Sequence, residues 1–464
     1  MLRLVNGARR LLVLVLLSSA CLEGTHLTGD GGDLSDTGDT TDADTGNDAI
    51  EQDDAEVPCP FVGTPMPLVP GNGAVTGSIH APPSFAVLRP EFRWREPGPA
   101  ACDARVFDVQ VDDSCTTPGF AGCGFPSPEA AAWGITVPFW QVPEDLPVST
   151  SPPVGRHYYW RVRACCGSCC STWSPVRYLD VGRAPGDLNG DGWSDVVIGA
   201  PDNASGSGTG TVRVYYGGPA FDDVPDAALV GRHTYSSFGR TIASAGDVNA
   251  DGFGDLVVGD YDTDYGERAC LYLGGFAMGD PPDLAFPLGT GYYWWSPAGA
   301  GDLNGDGFAD LVLGVPYDRA GGSWTGRVAV YLGGAPPDAT PYLDLPGTTT
   351  DDEFGWRAAG VGDVNGDGFT DLGIVSAPWI GVGLFLGANP LDGTRDADFQ
   401  IEDWRGSSVD TIVGAGDINN DGFAEVALGL PRDESGTTDP GLVHVYLGGS
   451  SSDGTPDVTL TGDS

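Results

Sequence analysis

The stretch "DLNGDGFADLVLGVP", Asp302 to Pro316, joins a metal-loop pattern to a strand pattern. Its first half, Asp302-x-Asn304-x-Asp306-Gly307, has the spacing of an EF-hand calcium loop, where alternate side-chain oxygens converge on one ion and Gly permits the sharp turn. An EF-hand also needs a bidentate Glu at position 12 and a helix behind the loop. Here position 12 is Leu313, inside the β-rich run "DLVLGV" that Pro316 closes.

The pattern D-x-N-x-D-G-x-x-[DE] occurs five times, starting at Asp187, Asp247, Asp302, Asp363 and Asp417, with separations of 60, 55, 61 and 54 residues. Position 12 is apolar in every copy: Ile198, Val258, Leu313, Ile374 and Leu428. The runs that follow, "DVVIGA", "DLVVGD", "DLVLGV", "DLGIVSA" and "EVALGL", read as strands, which excludes an EF-hand and a dockerin alike. Self-similarity at this period signals a propeller, solenoid or array. Four strand candidates per repeat suit a propeller blade: "AALVG", "GRTIASAGD", "DLVVGD" and "RACLYLGG" in the second. The first repeat lacks a leading strand and the chain ends in "PDVTLTGDS", so the C-terminal strand is expected to complete the first blade and close the ring.

These repeats resemble FG-GAP repeats, the blades of integrin α-subunit propellers and of bacterial surface proteins. The "FG" stands as Phe238-Gly239 and Phe354-Gly355, and the "GAP" as Gly199-Ala200-Pro201, with variants such as Gly314-Val315-Pro316. The resemblance implies an all-β fold over residues 183–464 and a structural calcium ion in each repeat. The side-chain ligands it implies are Asp187, Asn189, Asp191 and Asp195; Asp247, Asn249, Asp251 and Asp255; Asp302, Asn304, Asp306 and Asp310; Asp363, Asn365, Asp367 and Asp371; and Asp417, Asn419, Asp421 and Glu425. The position-7 carbonyls of Trp193, Phe253, Phe308, Phe369 and Phe423 supply a further oxygen in each loop. Such hard oxygen cages suit calcium, because magnesium resists losing its waters to them. Family propellers usually have seven blades, so the chain forms either a five-bladed ring or a larger one with divergent blades upstream.

The rest of the chain reads as export machinery, a tether and a second domain. Arg3, Arg9 and Arg10 precede the apolar run Leu11 to Leu17 and "SSAC", an export signal over 1–20 too short to span a bilayer as a mature helix. Cys21 resembles the acylated cysteine of a bacterial lipoprotein, although Ser18 stands where Leu is usual. Simple cleavage and secretion is the alternative, and either fate leaves the protein outside the cytoplasm, at the cell envelope. Residues 21–57 hold twelve acidic side chains and no Arg, and read as a disordered, self-repelling stalk.

Residues 58–182 contain eight of the ten cysteines, which in an exported chain imply a disulfide framework of undetermined pairing. Cys166-x-x-Cys169 also has the spacing of half a zinc site, with no second pair facing it. Strand-like runs separated by Pro and Gly suggest an antiparallel sandwich with Phe92, Trp94, Val109 and Val111 facing inward. "GRHYYWRVRAC" and "STWSPVRYLDVG" resemble the last strands of a fibronectin type III domain, with Tyr158, Trp160 and Trp173 in its aromatic positions.

Net charge of −43, with 22 basic residues that are all Arg, argues against nucleic acid and favours cations. The five histidines are scattered and neither H-E-x-x-H nor G-x-S-x-G occurs, so no catalytic residues are assigned. Cys270, in "RACLYLGG", reads as a small buried hydrophobe. The expected function is a calcium-binding surface scaffold for an extracellular protein partner, with a lectin-like glycan binder, or a glycoside hydrolase, as alternatives. Variable inserts such as "PYDRAGGSWTG" should share one face, and "GTGYYWWSP" is the aromatic segment most suggestive of a contact.

Overall fold

The computed structural model describes residues 13–14 and 62–462, apart from 82–85, 99–104, 116–122, 202–208, 233–236, 261–266, 290–295, 377–380, 402–408, 432–440 and 450–453. The signal, stalk and Cys21 expectations therefore lie almost wholly outside the described residues, as does the aromatic run Tyr292 to Trp295. Among the described residues there is no helix, and hence none long and apolar enough to cross a membrane.

The strands, in chain order, are β1 (Val13–Leu14), then β2 (Met66–Val69), β3 (Ala74–Val75), β4 (Glu91–Arg95), β5 (Arg105–Asp112), β6 (Ala130–Ile135), β7 (Phe139–Gln141), β8 (Arg156–Cys166), β9 (Cys169–Cys170) and β10 (Arg177–Val181). From β2 to β10 they form two sheets, β2-β4-β7 and β3-β10-β8-β5-β6 with β9 paired to β8. Alternation along each strand sends Phe92 and Trp94 from one sheet, and Val109, Val111 and Trp160 from the other, into one shared core. The inward residues expected from sequence are all buried there. Trp173 is not: it lies half-buried under the guanidinium groups of Arg161 and Arg163, 4.4 and 4.6 Å away. Cys115 pairs with Cys123 and Cys165 with Cys170, and Cys166 and Cys169 are disulfide-bonded too, which removes the thiolates a zinc site would need. Cys270 is a free, buried cysteine.

The repeat region forms five sheets side by side. The first contains β11 (Val196–Ala200), β12 (Thr211–Tyr215) and β13 (Ala227–Val230). The second contains β14 (Ile242–Gly246), β15 (Asp255–Asp260), β16 (Glu267–Tyr272) and β17 (Leu284–Gly289); the third, β18 (Ser296–Gly301), β19 (Asp310–Val315), β20 (Arg327–Tyr331) and β21 (Leu343–Pro346). The fourth contains β22 (Arg357–Gly362), β23 (Asp371–Ser376), β24 (Gly381–Phe385) and β25 (Ala397–Phe399); the fifth, β26 (Thr411–Gly416), β27 (Glu425–Leu430), β28 (Leu442–Tyr446) and β29 (Val458–Thr461).

Each blade is thus an antiparallel meander; in the second to fifth the acidic loop joins its first and second strands, and in the first it leads directly into β11. Cores form between blades. Val197, Val212 and Leu229 of the first pack on Leu256, Val258 and Tyr272 of the second. The FG-GAP glycines mark this seam: a Cβ at Gly199 would lie 2.1 Å from the Gly239 carbonyl oxygen, and one at Gly314 2.2 Å from that of Gly355.

Two expectations are corrected. "AALVG" is not the leading strand of the second blade, because Ala227–Val230 pairs with β12 as the outer strand of the first. The C-terminal strand does not complete the first blade, since Val458–Thr461 pairs with β28 in the fifth. The reason is local: the short connection after Leu447 returns the chain beside its own hairpin neighbour, at little loop-closure cost. The inner side of β11 is met instead by Val13–Leu14, a pairing that exists only while the chain keeps its N-terminus.

Among the described residues nothing joins the fifth blade to the first. In four loops the residue at position 2 is covered by the next blade: Leu188, Val248, Leu303 and Val364 are all at most 2% exposed. Ile418, at that position in the fifth loop, is 60% exposed. The seam hydrogen bonds repeat the pattern, from Gly254 N to Asp187 O, Ala309 N to Asp247 O, Thr370 N to Asp302 O and Ala424 N to Asp363 O. Among the described residues no such bond joins Ser194 to Asp417.

Candidate metal centres

Every loop folds alike because its sequence leaves the backbone little choice. Position 6 is left-handed throughout, with φ of +91°, +96°, +91°, +103° and +92° at Gly192, Gly252, Gly307, Gly368 and Gly422, which only Gly adopts without strain. The position-1 Asp then caps the turn. Asp247 accepts from Asp251 N at 3.0 Å and Gly252 N at 2.8 Å, and the same Gly bond recurs at Asp187, Asp302, Asp363 and Asp417. Asn189, Asn249, Asn304, Asn365 and Asn419 each donate to the position-5 carboxylate, at 2.8–3.0 Å. Trp193, Phe253, Phe308, Phe369 and Phe423 donate their backbone N–H to that same Asp at 2.9–3.1 Å, which turns the position-7 residue around it.

The position-9 residue braces the loop. Asp195 accepts from Leu188 N and Gly217 N, Asp255 from Val248 N and Gly274 N, Asp310 from Leu303 N and Gly333 N, and Asp371 from Val364 N and Gly387 N, all at 2.7–2.9 Å. A carboxylate oxygen has a second lone pair, so bracing leaves it free to ligate. Glu425 reaches Ile418 N at 2.6 Å, and its buried Oε1 meets no donor at bonding distance and angle. There the carboxylate oxygens of Asp417, Asp421 and Glu425 lie within 4.8 Å of one another. A convergent all-oxygen set with a buried unpaired oxygen fits a hard divalent cation, and the longer Glu side chain does not spoil the fit.

Electrostatics point the same way. Burial pushes Asp187 and Asp302 up to about 6, Asp195, Asp247 and Glu425 to about 7, and Asp255 and Asp371 to about 8, with Asp310 and Asp363 raised as well. Neighbouring carboxylates of the same loop add to the rise. Without a cation, burial holds the carboxyls raised to about 8, Asp255 and Asp371, largely protonated at neutral pH, and a cation would favour their ionised form.

The sandwich covers this face. His80 stacks on Trp193 with ring centroids 4.6 Å apart, and its Nε2 lies 2.9 Å from the Asp191 carbonyl oxygen in the first loop. Val154 donates its backbone N–H to Gly190 O at 2.9 Å. At the second loop, Arg183 pairs with Asp180 at 2.8 Å and with Asp247 at 3.5 Å. At the third, the Tyr178 phenol faces Asp302; burial and that carboxylate hold it well above its ordinary pKa. Arg177 reaches the fourth loop, donating to Asp363 at 3.2 Å and to Gly366 O at 3.0 Å. At the fifth, Arg95 lies 4.7 Å over the Phe423 ring. A cavity of about 470 Å³ remains between the domains, lined by Tyr159, Tyr178, Asp180, Asp187, Asp247 and Asp302 among others.

Sequence reasoning assigned all the loop residues and none of these contacts. Arg177, Tyr178 and Arg183 sit in "RYLDVGR", which reads only as the end of a strand.

Comparison with known proteins agrees with the repeat reading. The FG-GAP repeat profile matches residues 184–215 and 293–331. Integrin alpha-5 of Xenopus laevis is 32% identical over 144 residues, 28% of this chain and 14% of that protein. Integrin alpha-IIb of Mus musculus is 34% identical over 160 residues, 31% of this chain and 15% of that protein. The chain thus carries FG-GAP repeats and is similar to integrin α-subunits across a small part of their length. Among solved structures, the rhamnogalacturonan lyase PL11 of Bacillus licheniformis aligns with 87% of this chain and 69% of its own, at 14% identity and a TM-score of 0.33, too low to bear on fold or activity.

Proposed function

We propose that this chain is an exported, calcium-stabilised surface module of integrin-α-like type that binds an extracellular protein through the face opposite its metal loops. The observation that carries the reading is the contact of the sandwich with all five loops, which covers that face and leaves the other for a partner. The acidic loop leads into the second strand of each blade, so the inserts between second and third strands lie at the opposite end. Loops on a rigid scaffold are where binding residues concentrate. The fibronectin type III-like sandwich serves as a spacer above a stalk anchored through Cys21.

Each loop would hold calcium through its Asp, Asn and position-7 carbonyl oxygens, and the ion would supply charge neutralisation. The role is structural. Buried carboxylates of the blades outside the loops are engaged by arginine, Asp260 by Arg268 at 2.6 Å and Asp318 by Arg327 at 3.0 Å, which counts against a hydrolytic pair.

A second reading, glycan binding, is favoured by Tyr317, Trp324 and Trp356. They cluster at the insert end of the third and fourth blades, with ring centroids 5.6 and 6.4 Å from Tyr317 and with Trp324 41% exposed. Binding of the full chain to arrays of matrix proteins and glycans, in calcium, separates the two. Hits on proteins support the first reading, and hits confined to one sugar class support the second.

A further inference from the structure

Two seams between blades share a device that the fifth blade repeats without a partner. Gly210 of the first blade lies beside Phe238 of the second, and Gly326 of the third beside Phe354 of the fourth, each through a parallel bridge. The fit is so close that a Cβ at Gly210 would come 2.3 Å from Phe238 O, and one at Gly326 2.3 Å from Phe354 O. The carbonyl of the glycine after each Phe presses on the neighbour's second strand, 2.1 Å from a Cβ at Gly199 and 2.2 Å from one at Gly314. Val212 and Leu229 at the first socket, and Val328 at the second, are 0% exposed and share a core with the Phe.

The fifth blade has the same frame. Gly441 has φ of +75°, beside +75° at Gly210 and +78° at Gly326, and Gly462 N bonds Gly441 O at 3.0 Å as Gly231 N bonds Gly210 O at 3.1 Å. Here a Cβ at Gly429 would meet nothing nearer than Thr411 Cβ of its own blade, at 3.4 Å. Val443 and Leu460 pair in the register of Val212 and Leu229, yet are 37% and 56% exposed. A cavity of about 450 Å³ lies there, lined by Gly429, Leu430, Gly441, Val443 and Leu460 among others. The first blade brings no Phe-Gly pair to fill it: Phe238 and Phe354 stand nine residues before the first Asp of their loops, and nine before Asp187 stands Tyr178, in β10 of the sandwich.

We propose that this socket on the fifth blade receives an extended segment of a partner protein carrying a Phe-Gly pair followed by small apolar residues, like the Ile-Ala-Ser-Ala-Gly of β14. Burial of the phenylalanine and covering of Val443 and Leu460 supply the apolar drive, and backbone contact at Gly441 fixes the register. The socket opens at the insert end, where β27 finishes and β28 starts. The inference rests on the protein-binding reading, which it narrows to one seam and one sequence pattern, and it involves none of the metal loops.

The test uses the full chain and a fluorescein-labelled peptide copying Ser237 to Gly246, SFGRTIASAG. Anisotropy should show saturable binding that unlabelled peptide displaces. Replacing the peptide's Phe by Ala should weaken binding about tenfold or more, as expected for loss of a buried aromatic anchor. Gly429→Ala in the chain should weaken it as much with an unchanged melting temperature, because the added methyl has room in the free blade but would meet the incoming glycine carbonyl. No saturable binding, or equal binding by the Gly429→Ala chain, would overturn the proposal. Matrix-protein hits that persist on the array in that event keep the protein-binding reading, whereas peptide binding without any protein hit supports the socket and removes the wider reading.

Discussion

Asp255→Asn tests the account where structure gives the clearest magnitude. Asp255 is fully buried, and its two oxygens accept from Val248 N and Gly274 N at 2.8 Å each. Asparagine keeps the shape and one acceptor, but turns an NH₂ group toward the other backbone N–H. With metal bound the carboxylate is ionised, so the change loses a hydrogen bond to a charged group, roughly 1.5–3 kcal/mol, and strands a buried donor, roughly 1–3 kcal/mol more. The sum, about 4 kcal/mol, corresponds to a melting-point drop of about 10 °C for a cooperative unit of this size. In chelator the starting point differs. Burial pushes Asp255 up to about 8, so at pH 7 it is largely protonated and already lacks the charge that asparagine removes. The drop should then shrink to about 3 °C. Melting curves of wild type and variant at pH 7, in calcium and in chelator, measure both shifts. Equal shifts in the two conditions would refute the reasoning, because the carboxylate's charge would then have nothing to do with a cation.

Two further outcomes are expected. In chelator, carboxylates whose folded pKa is raised to about 6–8 by burial favour the folded state below their unfolded pKa and lose that contribution as pH rises through those values, so the melting temperature should fall between pH 5 and pH 8. Saturating calcium should abolish that fall, and melting across the pH series in both conditions checks it. Ile418→Asn should leave the melting temperature within about 1 °C of wild type, since the side chain has no neighbouring blade, whereas Leu303→Ala at the corresponding position should cost roughly 2–5 kcal/mol; a large loss for Ile418→Asn would mean the ring closes in solution.

The geometry of the acidic loops was legible because each is a local device. Alternating oxygens and a glycine that must turn left-handed are fixed within nine residues, and five copies remove chance. Inward residues such as Phe92 and Val109 were legible because strand alternation is local too. Blade boundaries were not. Ala227–Val230 reads the same whether it opens one blade or ends another, and only pairing with β12 decides. Closure was misread for a related reason: a leading-strand gap at one end and a spare strand at the other match on paper, yet Val458–Thr461 finds its partner next door. The covering of the loop face by Arg177, Tyr178 and His80 depends on how two domains meet, which no period or spacing within either one encodes.

The most direct measurement of the central claim is a calorimetric titration of the metal-stripped full chain with calcium. The account predicts binding at about one ion per loop. At calcium tenfold above the dissociation constant, each occupied site adds roughly 1.4 kcal/mol of stability. A titration with no calcium bound, at concentrations that leave the chain folded, would contradict it.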